Sequence, residues 1–97
     1  MLIGQVVGSV VAAHKDERLA ALKLLVVQVH DHENRPTDQY VVAVDVVEAG
    51  PGDVVLFATG SSARQTHLTE AKPVDAVILA VVDSWDLGGR NVYEKWA

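Results

Sequence analysis

The sequence predicts an all-β fold, a small five-stranded barrel with one short helix before the last core strand. Three observations carry that expectation. Valine fills 19 of the 97 positions, and β-branched side chains sit more easily on a pleated sheet than in a helix. The Val-rich runs are short and are separated by turn-forming clusters of Gly, Pro, Asn and Asp. No segment shows ten or more residues of helical periodicity, which argues against a sheet covered by helices.

The first strand is expected over residues 3–13, where Gly4 and Gly8 permit a bend or bulge. Residues 14–22 read as a loop, and residues 23–29 as the second strand. A polar turn over 30–37, containing Asn34 and Pro36, ends it. The third strand covers 40–47, with Val41, Ala43, Asp45 and Val47 on one side of the pleat. Ala49-Gly50-Pro51-Gly52-Asp53 is a strong turn that feeds a fourth strand over 54–59. Ser61 or Ser62 is placed to cap one or two helical turns within 61–69. Pro73 then favours extended backbone leading to a fifth strand over 76–85. Gly88-Gly89 breaks the chain, and residues 91–96 form a tail that can supply a sixth strand. The chain is one domain over 1–97, with a barrel core to about 88 and a tail over 89–97.

Composition narrows the function classes. A net charge of −5 disfavours nucleic acid, whose phosphates require Lys and Arg to displace counterions. No apolar run approaches the roughly 20 residues of a helical membrane span, and 76–82 is the longest before Asp83. The absence of cysteine removes disulfides and fits a reducing, cytoplasmic setting. Residues 1–5 carry no basic segment or small-residue cleavage site, so secretion is not expected. Strands 23–29 and 76–82 are apolar on both faces, which suggests a second buried face such as a subunit contact.

Motifs for chemistry are weak. Ser61 and Ser62 lie in Thr59-Gly60-Ser61-Ser62-Ala63, not in the Gly-x-Ser-x-Gly elbow of a hydrolase, even with His67 and Asp75 nearby. One glycine and no Gly-Lys-Ser/Thr step disfavour a phosphate loop. His30-Asp31-His32-Glu33 has ligand-type residues, yet it reads as a solvated hairpin tip and not a metal site. Asp45 and Asp83 interrupt apolar strands and are expected to pair with Arg64 or a backbone amide. No catalytic residue, metal or cofactor is assigned. Trp85, Tyr93 and Trp96 suit a subunit contact, because they bury much area at small entropy cost.

The most distinctive stretch is Gly60-Ser61-Ser62-Ala63-Arg64, a nearly bulk-free turn that lets backbone approach closely. It stands in order with Met1-Leu2-Ile3-Gly4-Gln5-Val6-Val7-Gly8-Ser9-Val10-Val11, Lys23-Leu24-Leu25-Val26-Val27, Val42-Ala43-Val44-Asp45 with the Ala49–Asp53 turn, and Pro73-Val74-Asp75-Ala76 through Val82-Asp83. Together these resemble the pentameric vertex proteins of bacterial microcompartments, carboxysome and ethanolamine-utilisation types included, from residue 1 to about 88. The resemblance implies an OB-like barrel, closed or partly open, assembled as a homopentamer at the vertices of a shell tiled by hexameric proteins around enclosed enzymes. It implies a structural, non-enzymatic role. It also implies that Gly60, Ser61, Ser62, Ala63 and Arg64 surround an axial opening, where Arg64 would supply positive charge. Ile3, Val7, Val10, Val81, Trp85, Tyr93 and Trp96 are expected at the subunit contact, with 14–17 and 30–35 as loops facing hexamers. The alternative is an OB-type binding module for nucleic acid or another ligand, which requires a basic, aromatic-lined groove.

Overall fold

A period of two along each Val-rich run sends its side chains to two sides, and the protein uses both. The computed structural model describes residues 1–96. Strands β1 (Leu2–Val10), β2 (Lys23–His30), β3 (Pro36–Asp45), β4 (Val54–Thr59) and β5 (Ala76–Val81) close a barrel in the order β1-β2-β3-β5-β4. Neighbours run antiparallel except β3 and β5, which are parallel. A separate hairpin follows, β6 (Ser84–Leu87) paired with β7 (Arg90–Glu94). Single 3-10 turns occupy Glu17–Leu19 and Gly60–Arg64. The five-stranded barrel and its short helix before the last core strand are therefore as expected.

Val6, Leu25, Val27, Val55, Phe57 and Ile78 fill the barrel. Val44, Ala58 and Val77, next in sequence to the inward Ala43, Phe57 and Ile78, face outward and form a second buried cluster with Ala63 of the 3-10 turn. Part of the apolar surplus on the strands is thus covered by the chain itself, over the outer wall of β3, β4 and β5. What stays outward and open includes Leu2, Val7, Tyr40 and Val42.

Pairing explains where strand ends depart from the sequence reading. β1 stops at Val10, because Val10 pairs with Leu24 and β2 begins one residue earlier at Lys23. Val11 has no strand to meet and is 93% exposed. β3 starts at Pro36, opposite His30, where an edge position spares proline its missing donor. β5 ends at Val81 because its partner β4 begins at Val54, whose carbonyl accepts the Val82 N–H at 2.8 Å. Trp85 therefore belongs to β6, and the expected sixth strand is β7. The helical turn also differs. Neither serine caps it; Thr59 is the N-cap residue and makes no side-chain cap bond.

The two glycines of β1 do different work. The bulge lies between Val6 and Gly8, leaving Val7 without a β2 partner. Gly4 instead permits close packing. A β-carbon there would sit 2.5 Å from Val27 Cγ1, 2.6 Å from the Gln28 carbonyl oxygen and 3.0 Å from Phe57 Cε1. A β-carbon on Gly8 would meet only Val26, at 3.7 Å. Gly4→Ala is expected to cost about 1–3 kcal/mol or more through overpacking, whereas Gly8→Ala stays within about 1 kcal/mol. Urea unfolding of the two variants checks the difference, and equal losses would contradict the packing role of Gly4.

Candidate functional site

The 60–64 turn is held from three directions. Gly60 adopts φ +67°, a left-handed conformation that glycine reaches without strain. Its N–H donates to the Asp75 carbonyl at 2.8 Å, tying the turn to the start of β5. Arg64 Nη1 donates to the Val74 carbonyl at 3.0 Å. Between them Ala63 is fully buried against the outer cluster. Ser61 and Ser62 remain exposed. The arrangement anchors one small side chain inward and presents glycine and serine outward on a fixed backbone. Arg64 is exposed and joins no ion pair with a carboxylate among the described residues.

Beyond the turn, Thr66 and Thr69 brace each other through their hydroxyls and backbone N–H groups. Thr69 is fully buried, a role the sequence did not disclose because both threonines look like ordinary loop residues. His67 and Asp75 are exposed, and no hydrogen bond joins either side chain to Ser61 or Ser62. The residues of a hydrolase triad are not assembled.

The 31–35 turn is organised by Asp31. Its carboxylate accepts the N–H groups of Glu33 and Arg35, each at 2.9 Å. These backbone bonds, with Arg35 foremost, hold its carboxyl below the ordinary aspartate range despite some desolvation. His30 Nδ1 lies 2.8 Å from Asn34 Oδ1. Among the described residues, no group of three or more His, Cys, Asp or Glu is arranged to hold a metal ion.

This turn receives the β6–β7 hairpin. The Trp85 indole N–H donates to the His32 carbonyl at 3.0 Å, and Arg90 bonds Glu33 at 3.0 Å. Trp85 and Tyr93 stack with ring centroids 5.2 Å apart, so both are half-buried within their own hairpin. Trp96 is 79% exposed. Of the other expected contact residues, Val7 is exposed, while Ile3 and Val10 are half-buried. Val81 packs against the barrel interior.

The expected partners of the strand carboxylates are revised. Asp45 is buried and accepts the Val47 N–H at 3.1 Å, as a backbone amide was expected to provide. Its cation, however, is Lys23 at 3.5 Å, because Lys23 is the register partner of Asp45 across β2 and β3. Arg64 is committed to Val74 instead. Asp83 is exposed, and its carbonyl accepts the Lys95 N–H at 2.8 Å.

With this geometry in view, the chain compares closely with known proteins. The family described as "Ethanolamine utilisation protein EutN/carboxysome" matches residues 1–83. The carboxysome shell vertex protein CcmL of Gloeobacter violaceus is 41% identical over 98% of this chain and 95% of its own length. Its solved structure covers all of both chains with a TM-score of 0.96 at 40% identity. The microcompartment shell vertex protein EutN of Salmonella typhimurium is 40% identical over 98% of this chain and 96% of its own. The pentameric microcompartment shell protein GrpN of Rhodospirillum rubrum covers 90% of this chain and 99% of its own, with a TM-score of 0.82 at 39% identity.

Two measurements test the local account. Ala63→Leu should cost about 1–3 kcal/mol, because the filled outer cluster has no room for three more carbons; chemical denaturation reads the loss. The Asp31 carboxyl should titrate below the ordinary aspartate value of 3.8 in a carbon-detected NMR titration. Because its folded value is depressed, its contribution to stability is present above the unfolded value and is lost as pH falls through the folded one.

Proposed function

This chain belongs to the EutN/CcmL family of microcompartment shell vertex proteins, and from that premise we propose that five copies form a ring at a shell vertex. The turn Gly60, Ser61, Ser62, Ala63 and Arg64 of each copy lines the axial opening. The observation that carries the reading is the outward, rigidly anchored turn on a barrel that matches a vertex protein along its whole length. Where backbones of five copies converge on an axis, side chains must be small, and glycine and serine satisfy that. Among the described residues Arg64 meets no carboxylate, so its guanidinium offers a local positive group for anions at the opening of a ring of acidic chains.

A fivefold unit among hexagonal tiles introduces curvature, so the ring closes a shell by geometry with no bond chemistry. Hexameric shell proteins meet the ring at its edges, and the closed shell surrounds enzymes. The outer face of β1 at Ile3, Val7 and Val10 joins neighbouring copies, together with the aromatic arm of Trp85, Tyr93 and Trp96. Two features support the arm's part. A two-stranded hairpin is marginal alone, and Trp96 leaves most of its ring uncovered in the single chain.

Sedimentation velocity at micromolar concentration should give a particle of five times the 10.4 kDa chain mass. Trp96→Ala should leave the fold intact and weaken the ring by about 2 kcal/mol, roughly thirtyfold in dissociation. A stable, folded single chain, or a ring of another number, overturns the reading. Imaging of closed particles formed with a hexameric shell protein checks the vertex role directly.

A further inference from the structure

Two uncovered surfaces lie on neighbouring walls of the barrel. On β3, Val41 and Ala43 pack inward, so Tyr40 and Val42 point outward, 59% and 49% exposed. β3 pairs with β5 only at Val44 and Asp45, so its edge from Tyr40 to Ala43 has no strand on that side. On the wall formed by β4, β5 and the start of β1, a cleft of about 350 Å³ is lined by Met1, Thr59, Ser62, Gln65, Thr66 and Leu79. Met1 and Leu79 give it apolar walls, and the hydroxyls and amide give it hydrogen-bonding groups.

We propose that Tyr40 of one copy seats in this cleft on the next copy, with Val42 beside it. The inference rests on the ring reading above and names a contact within it. A tyrosine is an apolar ring with a polar tip, which is the chemistry that the mixed lining accepts. A head-to-tail ring needs two different patches on every copy. Tyr40 and Val42 lie on β3 while the cleft lies on β4 and β5, so each copy offers two distinct patches on either side of the β3–β5 seam. Both patches also border the 60–64 turn. Val42 shares a cleft with Gly60, and Ser62 belongs to the lining described here. Tyr40, Val42 and the side chains lining the cleft are uncharged, and Asp75 is the acidic residue that borders Val42.

The chain contains no cysteine, which leaves a clean background for crosslinking. The double variant Tyr40→Cys with Ser62→Cys, mildly oxidised, should give a ladder of covalent species ending at five chains, and neither single variant should. A ring of native mass with no ladder overturns the Tyr40 contact and leaves the ring reading standing. Failure of the unmodified chain to form a ring overturns the ring reading itself. As a second measurement, native mass spectrometry on dilution should show Tyr40→Ala dissociating at a concentration at least tenfold higher than the unmodified chain. Tyr40→Phe should fall between them. Equal dissociation of Tyr40→Ala and the unmodified ring overturns the contact.

Discussion

Burial of Ala63 against Val44, Ala58 and Val77 is the contact on which the arrangement of this molecule depends. β5 lies antiparallel beside β4 with Thr59 opposite Ala76, so residues 60–75 are an excursion between adjacent strand ends where a tight hairpin would have sufficed. It travels over the outside of the barrel. The 3-10 turn anchors that crossing at its start, and the Thr66–Thr69 brace keeps the rest compact. The outer cluster, together with the Gly60 and Arg64 hydrogen bonds, fixes the direction in which Ser61 and Ser62 face. The exposed turn is therefore a consequence of packing on the wall beneath it.

The same crossing changes how apolar strands should be interpreted. Burying one valine or leucine stabilises a fold by about 1.5–3 kcal/mol relative to leaving it exposed, so a small barrel gains by covering both sides of its sheet. Inside, large side chains such as Phe57 and Ile78 fill the closed space. That density has a local cost at β1, where only a glycine at position 4 clears Val27 and Phe57. Outside, smaller side chains at Ala58 and Ala63 let the crossing lie close. Two thin layers serve where a larger domain would use one thick core.

Charge is placed with similar economy. Asp45 is almost wholly buried, and removing a carboxylate from water is unfavourable unless it finds partners. It has the Val47 amide and the Lys23 ammonium, and Lys23 also donates to the Ala49 carbonyl at 3.1 Å. One lysine thus ties the start of β2 to the turn after β3. At the opposite end, Arg90 and the Trp85 indole tie the terminal hairpin to the 31–35 turn. The aromatic arm is thereby held in place while Trp96 stays open.

Local chemistry was enough to identify the strands, the Ala49–Asp53 turn and the bulk-free 60–64 segment, because β-branching, proline and glycine act on the backbone where they stand. The order of five spaced motifs was enough to suggest the family. Sequence could not separate the two roles of Gly4 and Gly8, since one depends on Val27 and Phe57 and the other on register. Nor could it find the true strand ends, the Lys23 partner of Asp45, or the open faces of Tyr40 and Val42. Each of these is decided by which strand lies alongside. Alternation tells that side chains face two ways; only closure of the barrel and the excursion over it decide which of them meet protein and which stay open.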